Sequence, residues 1–411
     1  MKTMRPVCRT AMVAVSALLL STPIVASAAP PEPGLPADLV AAIGRDLHIS
    51  PQEYERRVDD AQRLADFAGA QRRQAPGSVT DIRLDRTGRA VVALAPGAGG
   101  VQAAARRAGF VVAEHPVPQA AEHWGLPAPH VVPVSDPAPA TPSADADTTS
   151  VAGGDPYISL LPPPSTQGAA CSWAFNAVDP QGHPAAITAG HCNVAVLDGH
   201  PVSVDQHTAQ SLPGRKIGAQ NGVFEKSVID GVRDYSIVRI ANPMRDAFRN
   251  NLVRGHIDGP PIAVTGVGIP VAGEPVCKSG ATTGFTCGVI TSVDQPDPNR
   301  PPIRFKHTAL ALPGDSGGAL ISGTLAMGIV SEGSINTDTK DFPTDPPGLL
   351  PPAPPGAPNV GRILQLIGPR TLERLSPPID AVLPYIPQVS MIAQSIGDVL
   401  AQNPGLWIRT K

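Results

Sequence analysis

Two glycine-containing motifs, and their order along the chain, restrict the fold more than any other feature of this sequence. His191 lies in the segment TAGHC, residues 188–192, and Ser316 lies in GDSGG, residues 314–318. A serine hydroxyl is a weak nucleophile that needs a base for its proton and backbone N–H groups for the oxyanion formed on attack. An imidazole titrates near neutral pH, and glycines leave neighbouring N–H groups unshielded. The motifs therefore predict Ser316 as nucleophile, His191 as base, and an oxyanion hole at the N–H groups of Gly314 and Ser316.

The serine motif also fits the G-x-S-x-G nucleophile elbow of α/β-hydrolases, and the histidines decide between the two folds. In an α/β-hydrolase the histidine follows the serine and the acid along the chain. The last of the ten histidines here is His307, so none follows Ser316. The order must therefore be histidine, acid, serine, which is the order found in chymotrypsin.

Four further segments extend the pattern beyond the two motifs. Residues 151–155 read VAGGD, residues 234–239 read DYSIVR, residues 277–284 read CKSGATTG, and residues 313–334 contain the serine loop and a strand pattern. Together they resemble the secreted chymotrypsin-fold serine proteases of the bacterial streptogrisin and α-lytic type. The resemblance implies an all-β fold of two antiparallel six-stranded barrels, preceded by a small α+β propeptide, with the active site between the barrels. It covers less than half of the 411 residues.

Asp234 is the predicted catalytic acid, with Asp205, Asp230 and Asp246 as rivals. Asp234 immediately precedes an apolar strand pattern, where its carboxylate can be buried beside His191. The residue pattern alone fits a surface-turn aspartate as well, and the resemblance of DYSIVR to the family's acid segment selects the catalytic role. In that role the carboxylate fixes the histidine tautomer and stabilises the imidazolium.

The resemblance also locates the pocket for the P1 side chain, the residue before the cleaved bond. It implies that Leu310 lies near the floor and that Ser331, Glu332 and Gly333 form the opposite wall. No aspartate stands at the floor, so a buried substrate cation would go unpaired, whereas an apolar side chain would gain from burial. We therefore expect cleavage after Leu, Phe, Tyr or Met. The alternative is that Glu332 turns inward and selects a basic residue.

Two departures from the family pattern concern the nucleophile loop. Lys278 stands where the family has arginine, and the resemblance implies that it pairs with Asp315. Lysine cannot make the bidentate contact that arginine makes with a carboxylate. The family's cysteine six residues before the serine is replaced by Leu310, and that cysteine's partner by Thr337. Both members of the disulfide are missing together, so no unpaired thiol is expected.

The N-terminus predicts export and therefore disulfides. Basic residues precede an apolar segment, 11–25, and a small-residue cleavage site, 26–28, so residues 1–28 are predicted to be a signal peptide; a retained membrane anchor is the alternative. Removal of residues 1–28 leaves four cysteines, an even count that predicts two disulfides in an oxidising compartment. The family pattern pairs Cys171 with Cys192 and Cys277 with Cys287. A four-cysteine zinc site lacks the close C-x₂₋₄-C spacing, and no metal is predicted.

Residues 29–150 are interpreted as a propeptide and linker. Ser50 to Glu53 form a capping box with proline at the first helical position, and a helix–strand–strand–helix–strand pattern continues to residue 112. Residues 115–150 are rich in Pro, Ala and Ser and are predicted to be a linker. The resemblance implies that the propeptide acts as an intramolecular inhibitor. The alternative is an unrelated domain that stays attached.

The remaining boundaries and partners follow from the same features. The protease domain is assigned to 151–340, a proline-rich insertion to 341–374, and a C-terminal helix and tail to 375–411, where residues 376–383 resemble the family's last helix. The net charge of −3 implies no nucleic-acid or membrane-surface partner. The predicted protein is a secreted monomeric serine endopeptidase made as a zymogen, with polypeptide substrates, no cofactor and no membrane span after signal cleavage. A catalytically weak binding module and an esterase on the same scaffold are the alternatives.

Overall fold

The computed structural model describes part of the chain, in eight ranges: residues 34–113, 132–133, 150–160, 167–197, 208–211, 219–255, 260–335 and 389–411. The predicted signal peptide, nearly all of the linker, the proline-rich insertion 341–374 and the predicted helix at 376–383 lie outside these ranges. Residues from Leu35 to Lys411 belong to one compact unit. No helix within the described ranges is both long enough and apolar enough to cross a membrane.

The helices are few and short except for one. They are α1 Ala37–Ala42, α2 Pro51–Gln74, α3 Gly99–Arg107, α4 Val194–Leu197 and α5 Ile396–Gln402, with a π-helical turn at Ile43–Leu47 and 3₁₀ turns at Gly190–Cys192 and Asn242–Met244.

Strands form most of the regular structure, and most of them follow residue 150. They are β1 Val79–Leu84, β2 Ala90–Leu94, β3 Val111–Ala113, β4 Val132–Pro133, β5 Pro156–Leu160, β6 Gln167–Ser172, β7 Phe175–Val178, β8 Pro184–Thr188, β9 Thr208–Ser211, β10 Gln220–Ile229, β11 Asp234–Ile240, β12 Leu252–Val253, β13 Ile262–Ala263, β14 Gly266–Val267, β15 Pro275–Gly280, β16 Gly284–Asp294, β17 Arg304–His307, β18 Ala319–Ser322, β19 Leu325–Ile335, β20 Val389–Ser395 and β21 Trp407–Ile408.

The N-terminal domain, residues 34–113, has the predicted helix–strand–strand–helix–strand order from α2 onward. At the start of α2, the Ser50 side chain accepts a hydrogen bond from the Glu53 backbone N–H at 3.1 Å, as a capping residue does. β1 pairs with β2 antiparallel, and β2 pairs with β3 in parallel. Apolar residues of α2 and α3 bury one face of this small sheet, in a cluster that Val271, just before β15, also joins.

The second barrel is closed and contains a strand that was not predicted from the sequence. The ring runs β15, β16, β17, β20, β19, β18 and returns to β15. The segment 375–411 was predicted to be a helix and tail, but its described part begins with β20, which completes this ring. The short helix α5 follows directly. Strand β20 is separated from its neighbour β19 by more than fifty residues, so no local hairpin signal marks it.

The first barrel is a curled sheet rather than a closed ring. Its nine strands run in the order β21, β7, β8, β11, β10, β9, β5, β6, β4. Trp173 and Tyr157 stack in its core with ring centroids 4.0 Å apart, and both are fully buried. The C-terminal β21 pairs with β7, so the tail packs on this barrel. The predicted two-barrel β architecture is confirmed, and the first member is a half-barrel.

The N-terminal domain packs against the second barrel. Tyr54 on α2 is fully buried, and its hydroxyl accepts a hydrogen bond from the Gly323 N–H at 2.8 Å. The N–H of Leu84 at the end of β1 donates to the Ala272 carbonyl at 2.7 Å. Apolar residues of α1 and α2 belong to the same buried cluster as residues of both barrels. The domain therefore shares a buried boundary with the second barrel.

Candidate active site

The predicted base and acid meet at the ends of two paired strands. His191 lies in the 3₁₀ turn that follows β8, and Asp234 is the first residue of β11, which pairs antiparallel with β8. His191 Nδ1 lies 2.7 Å from Asp234 Oδ2, and the His191 backbone N–H donates to Oδ1 at 2.8 Å. Both side chains are buried. Two contacts to one carboxylate hold the imidazole with its Nδ1 toward the acid.

Close backbone packing explains the glycine in TAGHC. A β-carbon on Gly190 would collide with the Val228 carbonyl and crowd the Asp234 carboxylate. Any larger residue would therefore push the histidine turn away from the acid.

The rival aspartates take other positions. Asp230 caps a turn, where its carboxylate accepts the N–H groups of Val232 and Arg233. The Asp246 side chain is 93% exposed and pairs with Arg249. Asp205 lies outside the described residues. Among the described candidates, Asp234 is the aspartate that contacts His191.

Asp234 is held by two residues whose contacts the sequence analysis missed. The Ser331 hydroxyl donates to Asp234 Oδ2 at 2.5 Å, and the Asp234 backbone N–H donates to Gln394 Oε1 at 3.0 Å. Burial by itself would raise the pKa of Asp234. The charge and hydrogen bonds of His191, with the Ser331 bond, outweigh burial and hold that pKa below its usual value. The carboxylate therefore stays ionised beside the imidazole.

The nucleophile loop lies directly against the histidine segment. Gly317 has φ +80°, and a β-carbon there would collide with the Thr188 hydroxyl and crowd the Ala189 N–H. The Ser172 backbone N–H donates to the Ser316 carbonyl at 2.8 Å, which ties the loop to β6. The TAGHC and GDSGG motifs, in which His191 and Ser316 stand 125 positions apart in the chain, are thus in contact.

The proposed oxyanion donors are available for a ligand. Gly314 has φ +101°, a conformation that favours glycine, and its carbonyl accepts the Ser172 hydroxyl at 2.8 Å. The N–H groups of Gly314 and Ser316 make no hydrogen bond to any other residue in the described ranges. Both residues are partly exposed. Two unpaired N–H groups at one turn can stabilise negative charge that develops on a bound carbonyl oxygen.

Asp315 and Lys278 form a buried pair beneath this loop. Lys278 Nζ lies 3.4 Å from Asp315 Oδ2, and neither side chain is exposed. The same carboxylate accepts hydrogen bonds from the N–H groups of Leu312, Thr282 and Thr283 at 2.8–3.0 Å, and from the Thr283 hydroxyl at 2.6 Å. These neutral donors replace part of the hydrogen bonding that a bidentate arginine would give the carboxylate.

The predicted pocket residues fall into three groups. Leu310 is buried, and its carbonyl accepts the hydroxyls of Thr283 and Thr286. Ser331 turns its hydroxyl to Asp234, as described above. Glu332 and Gly333 belong to β19, where they pair with Ile392 and Met391 of β20. The Glu332 side chain lies outside the described residues. Met391 is thus a neighbour of the predicted wall that the sequence analysis did not find.

The cysteines form the two disulfides that the family pattern implies, Cys171–Cys192 and Cys277–Cys287. The sulfurs of Cys171 and Cys192 and a ring nitrogen of His191 lie within 4.8 Å of one another, a grouping that could hold a metal ion. Since metal binding needs thiolates, the disulfide removes two of these three ligands.

The two-barrel architecture is that of chymotrypsin-type serine proteases, and comparison with known proteins agrees. The trypsin family model matches residues 182–345. Streptogrisin-D of Streptomyces griseus is 32% identical over 192 residues, 46% of this chain and 42% of the relative. Streptogrisin-A of the same organism is 30% identical over 197 residues, 47% of this chain and 55% of the relative. This chain thus spans about half the length of these two relatives.

A shorter relative is covered almost completely. Serine protease 2 of Streptomyces fradiae is 31% identical over 176 residues, which are 42% of this chain and 91% of the relative. Among solved structures, a Nocardiopsis protease is 26% identical with a TM-score of 0.39, over 64% of this chain and the whole of that chain. The chain belongs to the trypsin family of serine proteases.

Proposed function

We propose that this chain is a serine endopeptidase whose catalytic triad is His191, Asp234 and Ser316. The observation that carries the proposal is the buried His191–Asp234 pair, with two contacts at 2.7 and 2.8 Å, beside a glycine-flanked serine loop. A carboxylate that is buried and still ionised is costly unless a cation forms next to it. An imidazolium at His191, formed during catalysis, is such a cation.

The proposed reaction uses these residues in turn. His191 accepts the proton of the Ser316 hydroxyl as its oxygen attacks the substrate carbonyl, and the carbonyl becomes a tetrahedral oxyanion. The N–H groups of Gly314 and Ser316 stabilise that oxyanion. His191 then donates its proton to the leaving amine, which breaks the peptide bond and leaves an acyl-enzyme. Water, deprotonated by His191, releases the acyl group and restores the serine.

Export and activation by cleavage are part of the same proposal. Support for secretion comes from the basic, apolar and small-residue pattern of residues 1–28 and from two disulfides. We propose a mature chain that begins at or near Val151. Val151 and Ala152 are buried, and the Val151 N–H donates to the Ala247 carbonyl at 2.8 Å. N-terminal sequencing of the secreted form tests this boundary, and a start before residue 130 would refute it.

The proposed P1 preference is apolar. Support comes from the apolar Leu310 at the predicted floor and from Met391 opposite Gly333. Relatives of this chain differ in the preferences that their names state, since one at 30% identity is glutamyl endopeptidase 2 of Streptomyces griseus. A library of chromogenic tetrapeptides that varies only P1 tests the preference. Higher kcat/KM for arginine or glutamate than for phenylalanine would overturn it.

A fluorophosphonate probe separates the proposed enzyme from a binding module. The probe forms a covalent bond only with an activated serine, so peptide mapping should place the label on Ser316. Ser316→Ala should lose the label and amide hydrolysis together, whereas Ser322→Ala, a change on the neighbouring β18, should retain the label. An unlabelled but folded wild-type chain would favour the binding module. Labelling with hydrolysis of esters but not of amides would favour the esterase.

A further inference from the structure

A cavity of about 1040 Å³ lies where the N-terminal domain meets the second barrel. We call it the junction cavity. Helix α2 and strand β1 form one side, and the segments 267–272 and 292–302, with the start of α5, form the other. Because both parts of the chain contribute walls, the cavity exists only while the N-terminal domain is docked. It is separate from the proposed catalytic residues, none of which line it.

Arg72, in the last turn of α2, is an unusually buried cation in this wall. Its exposed fraction is 8%, and its Nε has no hydrogen-bond partner among the described residues. Its single hydrogen bond within those residues joins its Nη1 to Gln295 Oε1 at the long distance of 3.4 Å. Burial lowers the pKa of Arg72, and the charge of Asp81 opposes that shift only in part. A buried guanidinium with so few partners is destabilising unless an anion compensates it.

A second donor in the same wall also lacks a partner. The Ser395 side chain is fully buried, and its hydroxyl makes no hydrogen bond to the residues that the structure describes. Buried polar groups without partners are uncommon in folded proteins, and each one requires an explanation. Two of them, both donors, line the junction cavity.

The balance of charge around the cavity favours an anion. Its lining contains three arginines and two carboxylates: Arg72, Arg73, Arg300, Asp81 and Asp294. The two carboxylates already have arginine partners outside the lining. Arg83 contacts Asp81 at 2.7 Å, and Arg304 contacts Asp294 at 2.9 Å. The cationic groups of the lining are therefore in excess. Guanidinium groups match the oxygens of carboxylates and phosphates in both geometry and charge.

We infer that the junction cavity binds an oxyanion, a carboxylate or a phosphate, and that the bound anion stabilises the docked N-terminal domain. A ligand that binds only the docked form stabilises that form by an amount that grows with the logarithm of the ligand concentration above its dissociation constant. The inference does not depend on protease activity, since it concerns the stability of the folded chain.

Thermal unfolding of the full chain tests the site. Ser316→Ala is the background in all samples, so that any self-cleavage is excluded. Sodium phosphate or sodium acetate is added at constant ionic strength, with sodium chloride as the balance. We expect the unfolding midpoint to rise with at least one of the two anions, in proportion to the logarithm of its concentration once that concentration exceeds the dissociation constant. Arg72→Gln should raise the dissociation constant obtained from this dependence by about tenfold or more, the size expected for one charge-assisted hydrogen bond.

A matched control and a second variant keep the test decisive. Arg86→Gln removes an exposed arginine of the β1–β2 turn that does not line the cavity, and it should leave the anion response unchanged. Arg300→Gln should weaken the response if Arg72→Gln does not fold. A rise with phosphate alone or with acetate alone identifies which oxyanion the site takes. The inference would be overturned if all variants responded equally to the anions. It would also be overturned if phosphate and acetate raised the unfolding midpoint no more than sodium chloride does.

Discussion

At the scale of single residues, the candidate site depends on the hydrogen bonds that one carboxylate, that of Asp234, accepts. Asp234 receives the backbone and ring N–H groups of His191 and the hydroxyl of Ser331. An amide in place of the carboxylate would offer an N–H to the imidazole and would favour the wrong tautomer.

We therefore expect Asp234→Asn to fold and to lose about 10⁴-fold in kcat, the size known for the same change in chymotrypsin-type enzymes. The matched control is Asp230→Asn, four residues earlier in a turn, which should keep most of its activity. Steady-state kinetics on one amide substrate measure both. A larger loss in Asp230→Asn would mean that the acid is misassigned.

A second residue-scale prediction concerns the charge under the nucleophile loop. Lys278→Met preserves much of the side chain's bulk but removes the cation 3.4 Å from the buried Asp315 carboxylate. The remaining carboxylate would be an uncompensated buried charge, which costs about 3–5 kcal/mol when one partner of such a pair is removed.

We expect a lower free energy of unfolding and a large loss of kcat/KM in Lys278→Met. Addition of one residue before Val151 should change kcat/KM little, since the proposed brace does not use a new amino terminus. Denaturant unfolding and amidase assays of the two variants provide the comparison. If the extension abolished activity and Lys278→Met did not, activation would depend on the amino terminus instead.

Residue-scale features were the easiest to read from the sequence, and the reason is chemical. His191, Ser316 and their glycines form short motifs in which the chemistry needs fixed spacing. The contacts of Ser331 and Gln394 with Asp234 have no such local pattern, because they come from strands distant in the chain. Leu310 was assigned to the pocket floor by the resemblance to the family, at a position six residues before Ser316.

At the scale of elements, β20 is the main addition to the sequence prediction. Residues 389–395, VSMIAQS, follow a long proline-rich segment and show no regular alternation of apolar and polar residues. The pairing of β20 with β17 and β19 depends on contacts that no local signal encodes. The helix α2, by contrast, was predictable, because its cap at Ser50 and its apolar spacing are both local.

The pairing of β19 with β20 leads to a prediction about the proposed pocket. Gly333 stands opposite Met391, and its missing side chain leaves the predicted entrance open. Gly333→Val should therefore reduce kcat/KM for phenylalanine at P1 by about 10–100-fold, a few kcal/mol of excluded binding. The reduction for alanine at P1 should be much smaller, and that substrate serves as the internal control. Equal losses for both substrates would mean that Gly333 does not border the P1 pocket.

At the scale of the whole molecule, the docking of the N-terminal domain could not be predicted from sequence. The helix and strand order of residues 50–112 could be predicted from local patterns. The contact between Tyr54 and Gly323 could not, because these residues are 269 positions apart in the chain. That contact depends on the shape of the second barrel. A buried carboxyl group, Glu274, lies at the same boundary and makes the boundary sensitive to pH.

Glu274 is fully buried and faces neutral partners. Its Oε1 accepts the Gln62 amide of α2 at 2.9 Å, and its Oε2 accepts the Val271 N–H at 3.2 Å. The Ser322 hydroxyl of β18, which donates to the Pro275 carbonyl at 2.8 Å, opposes the rise in the pKa of Glu274, and the phenol of Tyr54 is the neighbouring titratable group. Burial raises the pKa of Glu274 from 4.5 to about 8, against the smaller opposing effect of these hydrogen bonds.

The sign of the pH effect follows from this raised pKa. The folded chain holds the Glu274 proton more tightly than the unfolded chain, so the contribution to stability is fully present below pH 4.5 and is lost as the pH rises through about 8. We expect the unfolding midpoint of the Ser316→Ala chain to fall between pH 5 and pH 9 by at least about 2–4 °C more than that of the same chain with Glu274→Gln. Glu225→Gln, at an exposed position on β10, is the control and should follow the parent. Parallel curves for the parent and Glu274→Gln would show that Glu274 is ionised throughout, and that alkaline pH does not weaken this boundary through its carboxyl group.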